Sequence, residues 1–389
     1  MSTQHHLFVG ITPGLEDLLE AEIVEALGHK PKVIHRVAGG VTLRAGTDSL
    51  WLLAHQLRLA EGIRVTLGHF QARDFSQLET RIARMPWAAF FPRGASPRVR
   101  ATSRRSRMYH SVAIEERVAR TIAARLDDGS KAESPTATTD DSTQPEAAQV
   151  HVRIVDDSVD VRIDAIGSPR LHQRGWRTHV GAAPMRETLA AACLRLADLA
   201  PDTVLWDPFC GSGTICIEYA AKVCGHPAPL EPNFAFTSWP THDASAYATF
   251  LGQLSRPTPR PGIALGSDRA KREVQASKVN ARASQLNEAL SFQVADVNKL
   301  AAHQTQAEFI PQNAAVVTNL PYGHRTQGGP NLDETLDGFG RLLRQRADLD
   351  PVFVLTTHRG LNRQTGLRWQ PLRAFENRGL HVTLFRLRR

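Results

Sequence analysis

Residues 203–220 read TVLWDPFCGSGTICIEYA. The first four, apolar after Thr203, run into Asp207, as in a strand buried on both faces that ends on an acidic residue, and after the glycines apolar residues recur at helical spacing. Between them stands the turn Gly211-Ser212-Gly213. A buried strand, a glycine turn and a helix in succession open an α/β unit, in which ligands bind at the carboxyl ends of the strands. Gly211 and Gly213 let the backbone come close to a ligand, the helix start offers N–H groups without intrahelical partners, and Asp207 can accept from an ammonium or a hydroxyl. The plain alternative is a tight turn with no ligand. A Walker phosphate loop is excluded, because it closes on Gly-Lys-Ser/Thr and here Gly213-Thr214 stand without a lysine.

Working outward, helix and strand alternate from about residue 184 onward. MRETLAAACLRLADLA predicts a helix, GIALGSD a strand, REVQASKVNARASQL a helix, LSFQVAD a strand, AAVVTNLP a fourth strand and PVFVLTT a fifth. The closing LRWQPLRAFENRGLHVTLFRLRR predicts a hairpin turning at Asn-Arg-Gly, so five strands and a hairpin suggest a doubly wound, seven-stranded sheet. Seven prolines crowd residues 225–262, which predicts an irregular surface excursion over the site.

Three successive strands of this half end in aspartate. Asp268 in GSDR is placed to receive two ribose hydroxyls, and Asp296 in VADV could read an adenine amino group. One such residue alone is more often a helix cap; three at one sheet edge point to an adenosine-bearing ligand. The fourth strand ends Asn319-Leu320-Pro321-Tyr322. This tetrapeptide offers a carboxamide acceptor, a backbone carbonyl and a flat ring, which together can grip a planar amine. Read without its surroundings, it is equally a Pro-Tyr turn.

Upstream, LFVGITPGLEDLLEAEIVEAL predicts a strand, a loop and an amphipathic helix, and KVIHRVAGGVTLRAG alternates like a hairpin, so the N-terminal third is α+β. IEERVARTIAARL predicts a helix and VHVRIVDDSVDVRIDA a hairpin around Asp-Asp-Ser. Between them, residues 127–149 lose their large apolar side chains to Ser, Thr, Pro and acidic residues, which predicts a disordered insertion inside one domain.

DPFCGSGT, GSD, VADV and NLPYG in this order resemble the motifs of class I S-adenosylmethionine-dependent methyltransferases acting on exocyclic amines. More narrowly, RLHQRGWRTHVGAAPMRETLAAA, FVGITPGLEDLLEAEI and RMYHSVAIEERV resemble the THUMP-domain RNA guanine-N2 methyltransferases. The resemblance implies a ferredoxin-like region (1–60), a THUMP-like RNA-binding domain (61–168), a linker (169–183) and a Rossmann-like methyltransferase domain (184–389). It also implies S-adenosylmethionine held by Pro184, Asp207, Phe209, Cys210, Gly211, Ser212, Gly213, Thr214, Asp268, Asp296, Val297 and Asn319, and catalysis by Asn319, Leu320, Pro321 and Tyr322. Where many members of the family have Asn-Pro-Pro-Tyr, this chain has Leu320, which keeps the carbonyl and gives up some rigidity.

The chain has 389 residues, 47 Lys and Arg against 39 Asp and Glu, and a net charge of +8, which permits a polyanionic partner. The charge concentrates at Arg93, Arg98, Arg100, Arg104, Arg105 and Arg107, with Tyr109 and His110 beside them. Phosphate contact and base stacking suit Arg98, Arg100, Arg104, Arg105, Arg107 and Tyr109; a solvated face is the bland alternative. Cys210, Cys216 and Cys224 with His226 fit no zinc spacing, so no metal is expected. His172, His179 and His324 stay ambiguous, the last as an acceptor of the released proton. The start of the chain lacks a basic, apolar leader, which predicts a cytoplasmic protein, and no apolar run is long enough for a membrane span. The reading is therefore a monomeric RNA methyltransferase acting on guanosine N2 in tRNA or rRNA. Its rivals are an adenine-N6 or protein-glutamine methyltransferase and a non-catalytic RNA-binding or assembly factor.

Overall fold

The computed structural model describes residues 3–127, 149–180, 185–228, 233–255, 257–303, 307–321, 332–377 and 379–389. Most of the 127–149 insertion lies outside them, as do Pro184, Tyr322 and His324.

The strands of the described residues form two seven-stranded sheets. The first contains β1 (Gln4–Gly10), β2 (Ile34–Val37), β3 (Gly40–Gly46), β4 (Gly62–Gln71), β5 (Val99–Arg104), β6 (Val150–Val155) and β7 (Ser158–Asp164), in the order β2-β3-β1-β4-β7-β6-β5. Only β5 and β6 pair in parallel; they are joined through helix α4 (Ser111–Leu126), and the insertion falls in the α4-to-β6 connection. Strand β4 pairs with both β1 and β7, so the two stretches expected to be ferredoxin-like and THUMP-like share one continuous sheet. Period-2 alternation sends Leu7, Val9, Leu43, Val65, Val152 and Val161 to one face, where each is at most 3% exposed. Helices α1 (Glu16–Leu27), α2 (Thr47–Gln56) and α4 pack on these strands, α3 (Phe75–Ile82) lies against α4, and the other face of the sheet carries polar side chains.

The second sheet contains β8 (Leu205–Asp207), β9 (Ala264–Asp268), β10 (Leu290–Val294), β11 (Ala315–Asn319), β12 (Val352–Thr356), β13 (Arg368–Asn377) and β14 (Leu380–Arg388), in the order β10-β9-β8-β11-β12-β14-β13. It is parallel from β10 to β12 and closes with the antiparallel hairpin read from the sequence. Both faces are buried. Leu205, Val317 and Leu355 enter one apolar core, while Trp206, Val316 and Val354 enter another. Helices α5 (Glu187–Ala197), α6 (Thr214–Val223), α8 (Lys271–Ala283), α9 (Val297–Ala302), α10 (Leu332–Gln345) and α11 (Leu361–Thr365) supply the covering side chains. The strand order reverses between β8 and β11, which is where an open α/β sheet forms its ligand crevice.

The excursion at 225–262 corrects the sequence reading. It holds a 3-10 turn (Ala235–Ser238) and helix α7 (Ala244–Gln253), and it packs on the N-terminal unit instead of lying over the site. Trp51 and His55 of α2 meet Tyr247 and Phe250, with Trp51 and Tyr247 ring centres 5.1 Å apart, and Phe90 meets Trp239 at 4.9 Å. Burial drives the His55 imidazole down to about 4, and its Nε2 lies 2.9 Å from the Tyr247 hydroxyl. The prolines flank the regular pieces without interrupting them, and Phe234, Phe236, Trp239, Tyr247 and Phe250 supply the area whose burial fixes the segment.

The apolar core that runs through this contact is continuous from Leu7 to Leu384. Beside it, the Arg174 guanidinium, 1% exposed, donates from Nε to Glu218 Oε1 at 3.1 Å and from Nη2 to the Arg58 carbonyl at 2.6 Å. Arg58 reaches the other oxygen of Glu218 at 3.4 Å. Among the described residues no helix is long and apolar enough to cross a membrane.

Candidate active site

The glycine turn follows β8 and the tetrapeptide follows β11, and these two strands are neighbours, about 4.8 Å apart. Val316 pairs with Trp206, so Asn319 extends two residues beyond the level of Asp207, alongside the turn. Gly211 and Gly213 have φ of +50° and +87°. A side chain at Gly213 would also lie 3.0 Å from Ser277 Cβ and 3.1 Å from the Phe292 ring, so both conformation and space call for glycine. Gly213 opens α6 and its carbonyl accepts from Ile217 N.

The three aspartates have distinct settings. Asp207 is 1% exposed; its Oδ1 accepts from the Thr318 hydroxyl at 2.5 Å and from Phe209 N at 3.1 Å. Burial pushes its carboxyl up to about 7, those two hydrogen bonds pull it down, and Asp268 adds repulsion. Asp268 is half-buried. Its Oδ2 accepts from Gly211 N at 3.1 Å and its Oδ1 from Ala270 N at 2.9 Å, which ties the end of β9 to the turn. Burial raises its pKa against these two bonds. Each Asp268 oxygen takes one of these bonds and keeps capacity for another donor, as a ribose-binding carboxylate requires. Asp296 caps α9, its Oδ1 accepting from Asn298 N at 2.8 Å, and the neighbouring Val297 side chain is buried in the core.

Asn319 is set apart. Its Oδ1 is buried and has no hydrogen-bond partner among the described residues. An orphaned amide oxygen costs about 1–3 kcal/mol, so its place at the strand end is one where a donor belongs. Leu320 is 1% exposed and fixed by its N–H to the Leu355 carbonyl at 3.0 Å. Phe209 is half-buried and edge-on to Phe339, with centres 5.5 Å apart. The thiol of Cys210 is buried, which raises its pKa well above the ordinary value and suits a packing residue better than a nucleophile.

Sequence reasoning missed the residues that brace the turn from behind. Arg177 donates to Glu187 Oε1 at 2.8 Å, to the Met185 carbonyl at 2.8 Å and to Thr214 Oγ1 at 2.9 Å, and it approaches Ser212 Oγ at 3.5 Å. Asn280, fully buried on α8, accepts from Thr178 N and His179 N and donates to the carbonyls of His179 and Ser212. The one signal available was a polar Asn280 on the apolar stripe marked by Val274 and Ala281. Arg100 and Arg104 lie on β5 of the other sheet, Arg98, Arg105, Arg107 and Tyr109 lie in the segments that flank that strand, and none of them is part of this crevice.

Residues 174–386 match the model of the RMKL-like methyltransferase domain. The ribosomal RNA large subunit methyltransferase K/L of Aliivibrio fischeri is 29% identical over 343 residues, which cover 85% of this chain and 46% of that protein, so the chain spans about half the length of such relatives. A Synechocystis sp. protein named as an RNA methyltransferase is 26% identical over 392 residues, covering 99% of this chain and 97% of that one. The crystal structure of SMU.472, described as a methyltransferase complexed with SAH, superposes with a TM-score of 0.84 at 24% identity, over 99% of this chain and 98% of that one, a likeness of fold. The matched stretch exceeds half of the chain and contains the glycine turn, the three strand-end aspartates and Asn319: the chain belongs to the RMKL-like methyltransferase domain family.

Proposed function

We propose that the chain is an S-adenosylmethionine-dependent RNA methyltransferase that modifies the exocyclic N2 of a guanosine in rRNA or tRNA. The observation that carries this reading is the orphaned, buried Asn319 Oδ1 at the end of β11, beside the glycine turn. The names of the relatives support RNA as the substrate. The resemblance to guanine-N2 enzymes supports the position.

S-adenosylmethionine supplies an electrophilic methyl group. Asp268 receives the ribose hydroxyls, and Gly211 and Gly213 keep the backbone clear for close approach. The target guanine is turned out of its stack, which costs a few kcal/mol, and Tyr322 is the residue proposed to stack on it. Asn319 Oδ1 and the Leu320 carbonyl would accept hydrogen bonds from the two N2 hydrogens, aim the N2 lone pair at the methyl group and stabilise the positive charge that grows on nitrogen. As the N–C bond forms the S–C bond of the donor breaks, S-adenosylhomocysteine leaves, and the methylated nitrogen gives up one proton to water.

Asn319→Ala should lower turnover by about two orders of magnitude or more, as loss of a transition-state hydrogen-bond partner does, with little change in S-adenosylhomocysteine affinity. The assay is single-turnover methylation of unmodified rRNA and tRNA transcripts, with nucleoside mass spectrometry to identify the product. Methylation of Asn319→Ala at the normal rate would overturn the amine-gripping role. A product other than N2-methylguanosine would overturn the position.

A further inference from the structure

We propose that the bare face of the N-terminal sheet is the platform on which the RNA backbone lies, an inference that rests on RNA being the substrate. Strand register fixes which side chains share this face. Arg100, His151, Arg162 and Thr66 align in one row across β5, β6, β7 and β4. The next row brings together Thr102, Arg153 and Asp160, and the row on the other side brings Asp164, Arg64 and Phe8. Arg100 and Arg153 are exposed, and Arg64 and Arg162 are half-buried. Each of these positions alternates with one buried beneath the helices.

Charge identifies the occupant. Arg64, Arg100, Arg153 and Arg162 face Asp160 and Asp164, and Asp164 is already engaged, accepting from Ile166 N at 2.9 Å and Gly167 N at 3.2 Å, with His151 3.8 Å away. Asp160 pairs with Arg162 at 3.4 Å, which leaves the face with an excess of positive charge. Arg64 Nε and Arg162 Nε are buried beneath this face with no partner among the described residues, and Arg162 Nη2 donates to Asp160 Oδ2, so it is the exposed Arg100 and Arg153 that are open to an incoming phosphate. The Arg162 guanidinium is held 3.9 Å over the Phe8 ring, which fixes its plane. Burial lowers the Arg162 pKa, Asp160 opposes this, and Arg64 and Arg153 lower it further, so these arginines stand close enough to repel one another. In the connection from β5 to α4, Tyr109 is 68% exposed with the His110 ring 4.1 Å away, a surface on which bases can stack.

The loop from 105 to 107 suits this role less well than the sequence suggested. Arg105 lies 2.9 Å from Asp156 and Arg107 lies 3.8 Å from Asp157, the two residues that turn the β6–β7 hairpin with positive φ. Their charge is partly cancelled within the protein.

The test is a salt titration of RNA binding by the full chain, using an unmodified rRNA transcript, with wild type, Arg100→Glu/Arg153→Glu and Arg100→Lys/Arg153→Lys. Both side chains are exposed, so melting temperature and S-adenosylhomocysteine affinity should hold in all three. The glutamate pair should bind RNA at least tenfold more weakly and flatten the slope of log affinity on log salt by roughly 1.4–1.8, at 0.7–0.9 for each lost phosphate contact. The lysine pair should restore both. Wild-type affinity and slope in the glutamate pair would overturn the platform and leave the RNA reading standing. A wild-type chain that binds no RNA would overturn that reading and the platform with it.

Discussion

The C-terminal sheet is covered on both faces and keeps its working polar groups at one edge, whereas the N-terminal sheet is covered on one face and spreads arginines over the other. At the edge each polar group has its own specific setting: Asp268 holds Gly211 and Ala270, Asp207 holds Thr318 and Phe209, and Asn319 points an acceptor at nothing the described residues supply. If RNA lies on the bare face, no single arginine there is indispensable, because phosphate contacts sum along a strand. The difference follows from topology. A parallel sheet buried on both sides has only its strand ends for chemistry, while a largely antiparallel one can leave a whole face to solvent. Single substitutions should therefore be decisive at the edge and mild on the face.

The sharpest way to test whether the two regions act as one molecule is at their junction. Glu218→Ala leaves the Arg174 guanidinium, 1% exposed, and most of Arg58 without their carboxylate. Removing one partner of a buried pair costs about 3–5 kcal/mol, which chemical denaturation of the full chain would read directly. A loss below about 1 kcal/mol would mean that water reaches the cluster and that the excursion's aromatic contacts alone hold the units together.

At the crevice, Asp207 gives a pH signature. Its folded pKa, about 7, lies above the ordinary carboxylate value, so between about pH 4 and 7 the folded chain keeps a proton that the unfolded chain has lost. Stability attributable to this group is then present at low pH and falls as pH rises through that window, by up to about 1.4 kcal/mol per unit. Asp207→Asn keeps an acceptor for Thr318 and Phe209 and has nothing to ionise. The difference in stability between wild type and this variant should shift in the variant's favour from pH 4.5 to 7.5. A constant difference would show that Asp207 is ionised throughout.

Asp268→Ala should weaken S-adenosylhomocysteine binding by about 1.5–3 kcal/mol, the scale of hydrogen bonds to a charged group, and calorimetry reads it. Part of that loss would come through Gly211, whose N–H loses its acceptor. Unchanged affinity would remove Asp268 from the cofactor site.

The same contrasts separate what local sequence patterns specify from what only the tertiary fold brings together. The strand, turn and helix around Gly211, the alternation after it and the closing hairpin were legible because each is a local pattern of apolar spacing and turn residues. The Arg177 and Asn280 braces were not, because Asn280 meets Thr178 and His179 across about a hundred residues. The excursion is poorly legible because its proline density signals irregular chain, while its aromatic residues decide where it packs. The bare face was half legible. VHVRIVDDSVDVRID alternates plainly, yet only the non-sequential order β4-β7-β6-β5 lines up Arg162, His151 and Arg100.

The smallest expected effect lies within the N-terminal unit and divides its loop from its face. Arg105 and Arg107 are both about two-thirds exposed and paired with Asp156 and Asp157. Exposed pairs of this kind contribute about 0–1 kcal/mol, so Arg105→Ala/Arg107→Ala should leave the melting transition almost unmoved. Its effect on RNA should also be slight, since the removed charges were partly neutralised and Asp156 and Asp157 are set free to repel phosphate only at the rim. The expected change in salt slope is below about 1, less than two full phosphate contacts would give. If this pair instead flattens the slope as far as the Arg100 and Arg153 glutamate pair, the arginines of the loop leave their aspartates to bind RNA, and the platform extends around the end of β5. A variant indistinguishable from wild type would confine phosphate contact to the sheet.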